Sequence, residues 1–550
     1  MIEKEIREDA EKWYKLGATH GNKREYDKAI ECYKKALEIN PNDFKIWNDL
    51  GSCHCSKLEY DRAIECYEKA LKIHPTDHIL FNMGITYDDK GEPDKAIKYF
   101  QKALEINPNY DKAWLNMGKA HNKKGEHDKA ITCFKKALEI NPADDNAWYD
   151  IGLIHNEKGE HDKAIECYEK VIEIVPGDVE VLLKMGNICA IKGKYEKAIE
   201  YYKNGLDIHP NNYNLWINMG IVCNEKGEYD KAVENFQKAI EINPNYDKAW
   251  NERGFAHKKK GEHDKAIECY EKVLQINPGE DRAWFKIGCI YDDEGKYDRA
   301  IECYEKTLKI NPSNEIAWYN LGNMYAIKRE HNKAIECYEN AIKINPKNAY
   351  VWNNMANSFK NTERINKAIE CYQKSIEALP NFADPCLNLG GAYQMKGDLD
   401  NAIKYYQKGI EIDPNFPDVW YNLGLAYKKK GKYDKAIECC KKAIEMEPNY
   451  DDAWIIMGNS LANKGENDKA IECYEKALEI NPGDDNLWYS LGYLYANIRK
   501  HDKAIGCYEK VLEIVPGDVD ALQKIGDIYS LKGEQDKAKE YHEKSALNKF

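Results

Sequence analysis

Fifteen prolines set the rhythm of this 550-residue chain. Pro41, Pro75, Pro108, Pro142 and so on to Pro516 stand 34 residues apart, with one interval of 33 between Pro75 and Pro108. A fixed period of this length marks a stack of like supersecondary units, each packing on its neighbours. It overrides the three or four domains of about 150 residues that length alone suggests. Counted from the prolines, a lead-in at 1–9 is followed by sixteen units that form a single solenoid over 10–550. They are 10–43, 44–77, a shortened 78–110, 111–144, 145–178, 179–212, 213–246, 247–280, 281–314, 315–348, 349–382, 383–416, 417–450, 451–484, 485–518 and a capping unit at 519–550.

Within a unit, apolar residues recur every three or four positions, as in Trp318, Leu321, Tyr325 and again Ala334, Ile335, Tyr338, Ile342. That spacing predicts two amphipathic helices. Gly125, Gly159, Gly193 and their equivalents in eleven of sixteen units stand where the first helix should stop, and Asp128 or Asp162, three residues later, is the expected N-cap of the second. The proline ends the second helix by pushing the preceding residue out of helical geometry. All twelve tryptophans, Trp13 to Trp488, share one register, filled by Leu80, Leu182, Cys386 and Leu522 in the other units, and are expected in the core. Four residues on stands a glycine in every unit but the one with Ala356. A mid-helix glycine costs about 1 kcal/mol relative to alanine. Its recurrence therefore predicts close helix contact there, together with the alanine twelve residues further on, present from Ala29 to Ala538.

Repeat ten carries the pattern whole: Trp318, Leu321, Gly322, Tyr325, Ala334, Tyr338 and Pro346. It resembles the tetratricopeptide repeat, whose signature W-x2-L-G-x2-Y…A-x3-F…P it follows with Tyr for Phe. The resemblance runs over residues 10–550 and implies an all-α, right-handed superhelical solenoid of helix-turn-helix repeats. It also implies that the first helix of each unit lines a concave wall where partner segments lie.

The chemistry of other classes is missing. No GxGxxG, GxxxxGK[ST], HExxH or GxSxG occurs, and the repeats leave no stretch in which a catalytic domain could fold, so no enzyme activity and no cofactor are expected. The net charge of −13, from 94 acidic and 81 basic residues interspersed along the chain, argues against nucleic acid. The absence of any long apolar run argues against a membrane. Eleven of the eighteen cysteines, among them Cys32, Cys66, Cys133, Cys167, Cys269 and Cys507, fall in one register of the second helix. Equivalent helices stand about 9 Å apart, too far for disulfides, so reduced thiols and a cytoplasmic location are expected. Cys53-His54-Cys55 is the sharpest metal candidate, but C-x-C on a helix points its sulfurs apart, and no metal site is expected.

Two residues before the glycine, on the first helix, stand Asn82, Asn116, Asn218, Asn320, Asn354, Asn388 and Asn422, with Asp49 and Asp150 in other units. An amide offers both donor and acceptor. Such a row can bond the backbone of an extended peptide, or it can face water or bond the adjacent repeat. It is similar to the asparagine ladder in the repeat domain of O-linked N-acetylglucosamine transferase, whose catalytic domain has no counterpart here. Tyr319, Tyr421, Tyr489, Phe81 and Phe285, one place earlier, add aromatic surface, while Lys45, Lys112, Lys248 and Arg282 give way to Asp384, Asp418, Asp452 and Asp520 six residues before the glycine. A partner with acidic and basic halves would then bind in one direction. The carboxylate clamp of chaperone-binding relatives is incomplete: Arg282 and Lys286 suit its third unit, but Glu252, Ile217 and Ile221 stand where anion ligands are needed.

The function expected is a noncatalytic scaffold, monomeric or weakly self-associating, that binds extended segments of other proteins. The alternative is a substrate-presenting subunit of a separate transferase, or an assembly or chaperone adaptor. Arg253 breaks a register otherwise filled by Leu, Ile or Met, and its stem is expected to pack while its head reaches solvent. Repeats eleven and twelve depart furthest, with Ala356, Glu363 at the helix stop and Pro385-Cys386 in place of Trp; the last unit, with Lys539, His542 and Ala546 in its second helix, is expected to face water.

Overall fold

The computed structural model describes residues 2–548, with side chains from residue 8 onward. Met1 of the lead-in and residues 549–550 of the last unit lie outside it. Among the described residues the chain is thirty-two α-helices in sixteen pairs, without a strand. It divides into two compact units of eight pairs each, Met1–Ile276 and Asn277–Phe550. The first helix of repeat one begins inside the lead-in, as Ile2–Asn22. Repeat two is typical of the rest: Phe44–Ser56, a tight turn, then Tyr60–Ile73.

The turn is made by one residue in the left-handed region, Gly in eleven repeats and Arg24, Leu58, Arg329, Glu363 or Arg499 in the other five. Two residues later the second helix has begun. In repeat four, Gly125 has φ +74°, Glu126 is the N-cap, and the helix runs His127–Ile140. Asp128 is therefore not the N-cap expected of it: it is already in the first helical turn. Its carboxylate instead meets Lys158 of the next repeat at 2.6 Å. The same rung recurs as Lys57–Asp27, Lys90–Asp61 and Lys260–Asp230 in the first unit and as Lys464–Asp434 and Lys532–Asp502 in the second, at 2.5–2.7 Å. Asp162 pairs likewise with Lys192. Side-chain caps fall mostly on the first helices, where Asp43, Asp144, Asp178, Asn212, Asn314, Asn348, Asp484 and Asp518 accept from backbone N–H groups of the first turn; among the second helices Asp398 does the same for Leu399–Ile412.

Each glycine of the register meets an aromatic ring, except Gly424 of repeat thirteen, which meets Cys440. A Cβ built on Gly17 would stand 2.7 Å from the Tyr33 ring, on Gly84 2.5 Å from Phe100, and on Gly322 2.5 Å from Tyr338, always sixteen residues on in the same hairpin. These rings are the true core. The largest fully buried side chains are nine Tyr and three Phe of this register. Each removes about 150–250 Å² from water, a gross gain of about 4–6 kcal/mol. Four of the phenols end on an asparagine one residue past the glycine register, which holds glycine in three of them and Ala356 in the fourth: Tyr202 on Asn187, Tyr338 on Asn323, Tyr372 on Asn357 and Tyr474 on Asn459, at 2.5–2.8 Å. Where that position is Leu153 or Tyr493, the hydroxyls of Tyr168 and Tyr508 are buried without a partner.

The tryptophans correct the expectation of a core register. All twelve are half-buried at the rim. Ten donate the indole N–H to the carbonyl of the preceding repeat's proline, as Trp47 to Pro41 at 2.8 Å and Trp352 to Pro346 at 2.9 Å. Five carry a lysine over the ring: Lys35 on Trp13, Lys69 on Trp47, Lys238 on Trp216, Lys306 on Trp284 and Lys374 on Trp352, at 4.0–4.5 Å. An indole N–H needs a polar partner, and the carbonyl at the repeat junction supplies it.

Candidate functional site

The row of asparagines is half-buried along the first helices, and its amides bond within the protein in two ways. Across a repeat junction, Asn218 Nδ2 donates to Asn187 Oδ1, Asn354 to Asn323, Asn82 to Asn48 and Asn388 to Asn353, at 3.0–3.3 Å. Asn354 also donates to the Tyr319 hydroxyl at 3.0 Å. Within their own helix, Asn116 and Asn422 donate to the carbonyls of Lys112 and Asp418. Among the described residues, no donor reaches Oδ1 of Asn82, Asn218 or Asn388. These carbonyl ends can therefore accept a peptide N–H.

The carboxylates of this register behave differently. Burial raises the Asp49 and Asp150 carboxyls above the usual range. Tyr14 donates to Asp49 at 2.9 Å, while Lys119 stands 3.8 Å from Asp150, too far for a hydrogen bond. Tyr421 packs on Tyr450, ring centres 5.1 Å apart, and burial pushes its hydroxyl up to about 12. Lys112, Lys248 and Arg282 are exposed, as are Asp384, Asp418, Asp452 and Asp520.

In the second unit the structure adds residues that the row alone does not show. A cavity of about 490 Å³ opens between the first helices of repeats ten and eleven, Glu315–Ile327 and Ala349–Asn361. Asn323, Asn354, Asn357 and Asn361 line it with Ser358 and Tyr338. Of the residues expected at the site, Asn354 is the one that lines this cavity. The signal for Asn323 and Asn357 was available in the sequence: an asparagine fifteen residues before the second-helix tyrosine, repeated at Asn187 and Asn459.

No disulfide joins the cysteines, all but Cys55 and Cys289 are buried, and burial pushes Cys66, Cys133 and Cys269 up to about 11. His54 turns its Nδ1 to Glu59 at 2.7 Å, while Cys55 accepts from Thr86, so the Cys53-His54-Cys55 donors do not converge. No helix among the described residues is long and apolar enough to cross a membrane.

Comparison with known proteins agrees with this architecture. The tetratricopeptide repeat family matches 10–43, 44–77, 79–110, 111–144, 146–178 and 179–212, and related repeat families match 201–234 and 220–261. The family described as the C-terminal domain of cilia and flagella-associated protein 70 matches twice in tandem, at 247–377 and 381–549. No curated protein matched the chain. Among solved structures, MamA is 34% identical over 29% of this chain and 94% of its own, with a TM-score of 0.29. YrrB, described as a repeat protein with an unusual peptide-binding site, is 24% identical over 34% and 96%, with a TM-score of 0.31. The C-terminal part of a repeat protein from Cytophaga hutchinsonii is 21% identical over 44% and 99%, with a TM-score of 0.40. With its sixteen helix pairs, its glycine–aromatic contacts and the family matches along its length, the chain belongs to the tetratricopeptide repeat family.

Proposed function

We propose that this chain is a noncatalytic scaffold that captures extended segments of other proteins along its first helices, and that the asparagine row holds the bound backbone. Proteins of the family typically mediate protein–protein interactions, which gives the coarse reading. The observation that carries the finer one is the cavity between repeats ten and eleven, where four amides stand together. Amides bond a peptide backbone without selecting its side chains, so such a wall suits many sequences. Tyr319 and Tyr421 supply rigid aromatic surface beside it, and Lys112, Lys248 and Arg282 face acidic parts of the partner. A reducing, cytoplasmic setting accords with the free thiols.

Affinity capture from native extract tests the reading, comparing the parent with a variant carrying Asn320, Asn354, Asn388 and Asn422 all changed to Ala. Asn354 and Asn388 also tie repeats together, so a second variant changes only Asn116 and Asn422, whose amides bond their own helices. With circular dichroism unchanged, both variants are expected to lose partners that the parent retains. Full retention by both would remove the row from the binding site.

A further inference from the structure

The register immediately before the glycine holds Leu, Ile or Met in fifteen repeats and Arg253 in repeat eight. Where the residue is apolar it floors an outer groove on the second-helix side of the repeats. In repeat five that groove holds about 510 Å³ and is lined by Trp148, Ile151, His155 and Cys167. In repeat fourteen, Met457 and Leu461 floor a groove of about 840 Å³ beside Trp454 and Cys473. Repeat eight keeps the space, about 640 Å³ between Asp247–Lys259 and His263–Ile276, with Trp250 and Cys269 in the same places. Its floor is a guanidinium.

Nothing among the described residues answers that charge. Arg253 lies with its guanidinium carbon 5.7 Å from the Trp250 ring centre, its Nε is buried without a hydrogen-bond partner, and no carboxylate among the described residues pairs with it. One helical turn on, His257 is 3% exposed. Its ring lines the groove, with Nδ1 donating to Glu262 at 2.6 Å. A buried guanidinium N–H without an acceptor is a standing cost that a bound anion would relieve.

We infer that this outer groove of repeat eight is a docking pocket for a carboxylate side chain, Asp or Glu, presented by a partner protein. Charge selects the occupant. On the walls, Lys265 and Lys272 offset Glu268 and Glu271, so Arg253 leaves a single net positive charge. That matches a monoanion and disfavours a doubly charged phosphate monoester. A planar guanidinium grips a carboxylate through two parallel N–H bonds, which a point charge does not offer. The apolar walls at Trp250 and Cys269 suit the stem of the incoming residue. None of the residues lining the pocket belongs to the asparagine row, so it stands or falls independently of the function proposed above.

The test follows the Arg253 Nε–Hε nuclear magnetic resonance signal of the isotope-labelled full chain, assigned by its loss in both Arg253→Met and Arg253→Lys. N-acetylglutamate N-methylamide, its glutamine counterpart and inorganic phosphate are added in turn. The signal is expected to move saturably with the glutamate derivative, with affinity about tenfold weaker for the glutamine compound and weaker for phosphate. Arg253→Lys, which keeps the charge without the fork, is expected to bind the glutamate derivative about tenfold less tightly by calorimetry. A signal that stays still, responds alike to the glutamine compound, or responds most tightly to phosphate overturns the pocket. So does undiminished binding by Arg253→Lys.

Discussion

The two units differ at one register, three residues after the glycine, where the first helix ends. In the first unit it reads His20, His54, Tyr87, His121, His155, Cys189, Cys223, His257; in the second, Tyr291, Tyr325, Phe359, Tyr393, Tyr427, Leu461, Tyr495, Tyr529. Each of the five histidines reaches forward to the glutamate that begins its own second helix, at 2.5–2.7 Å: His20 to Glu25, His54 to Glu59, His121 to Glu126, His155 to Glu160 and His257 to Glu262. Four of the six tyrosines at this register in the second unit bond the preceding repeat. Tyr325 donates to Glu305 at 2.9 Å and Tyr495 to Glu475 at 2.6 Å, while Gln373 and Gln407 donate to Tyr393 and Tyr427. One position thus stiffens a hairpin from within in one unit and joins neighbouring hairpins in the other.

If that register is what distinguishes the units, the shared core must respond alike in both. Tyr67→Ala in the first and Tyr372→Ala in the second are each expected to cost about 3–5 kcal/mol, read by denaturant titration with hydrogen exchange to assign the loss. Unequal costs would place the difference in the core instead.

A transplant attacks the comparison directly. Tyr325→His puts a first-unit side chain five residues before Glu330 and removes the bond to Glu305. We expect a loss of about 1 kcal/mol in repeats nine to eleven, from one backward hydrogen bond removed, together with a new dependence on pH. An unchanged pH profile would mean that this register does not set it.

Acid should separate the units next. Burial holds His257 below its ordinary range, with Arg253 and Lys265 acting in the same direction and Glu262 opposing them. A neutral histidine in the fold and an ordinary one in the unfolded chain mean that the unfolded state takes up more protons. The contribution of His257 is complete above about pH 6.5 and is lost as pH falls through its folded value. Glu59, Glu126 and Glu262 are held down to about 2, chiefly by His54 for the first and by Lys124 and Lys260 for the others, so their contribution persists until pH falls from about 4.3 toward 2. Hydrogen exchange of repeat eight at pH 7.5 and 5.5 should show the histidine effect, and His257→Phe should abolish it.

The smallest effect concerns the turn. Leu58 is 72% exposed and holds φ +61°, so Leu58→Gly relieves left-handed strain without opening the core and should raise stability by about 0.5–1 kcal/mol. Arg499→Gly in the second unit should match it in thermal unfolding.

The sequence revealed the elements and hid the contacts between them. The 34-residue period, the two helices, the left-handed stop at Gly125 and the close approach at Gly322 all follow from local geometry, which one repeat contains. Asp128 and the tryptophans were misread because their partners, Lys158 and a proline carbonyl, belong to adjoining repeats. Periodicity identifies the apolar side of a helix but not which of its residues sits at the rim. At the candidate site the asparagine row was visible as a column. Asn323 and Asn357 were not, since their meaning comes from the tyrosine hydroxyls they cap.

The rim position of the tryptophans turns the chain into an optical instrument. Six indoles fall in each unit, and repeats three, six, twelve and sixteen are dark because Leu80, Leu182, Cys386 and Leu522 replace them. Half-exposed and in five cases covered by a lysine ammonium, these fluorophores sit where an anionic quencher such as iodide is drawn by charge. Their emission should therefore report on the outer junctions between repeats while the buried tyrosines stay silent, so a ligand seated on either side of the array would write a different spectrum.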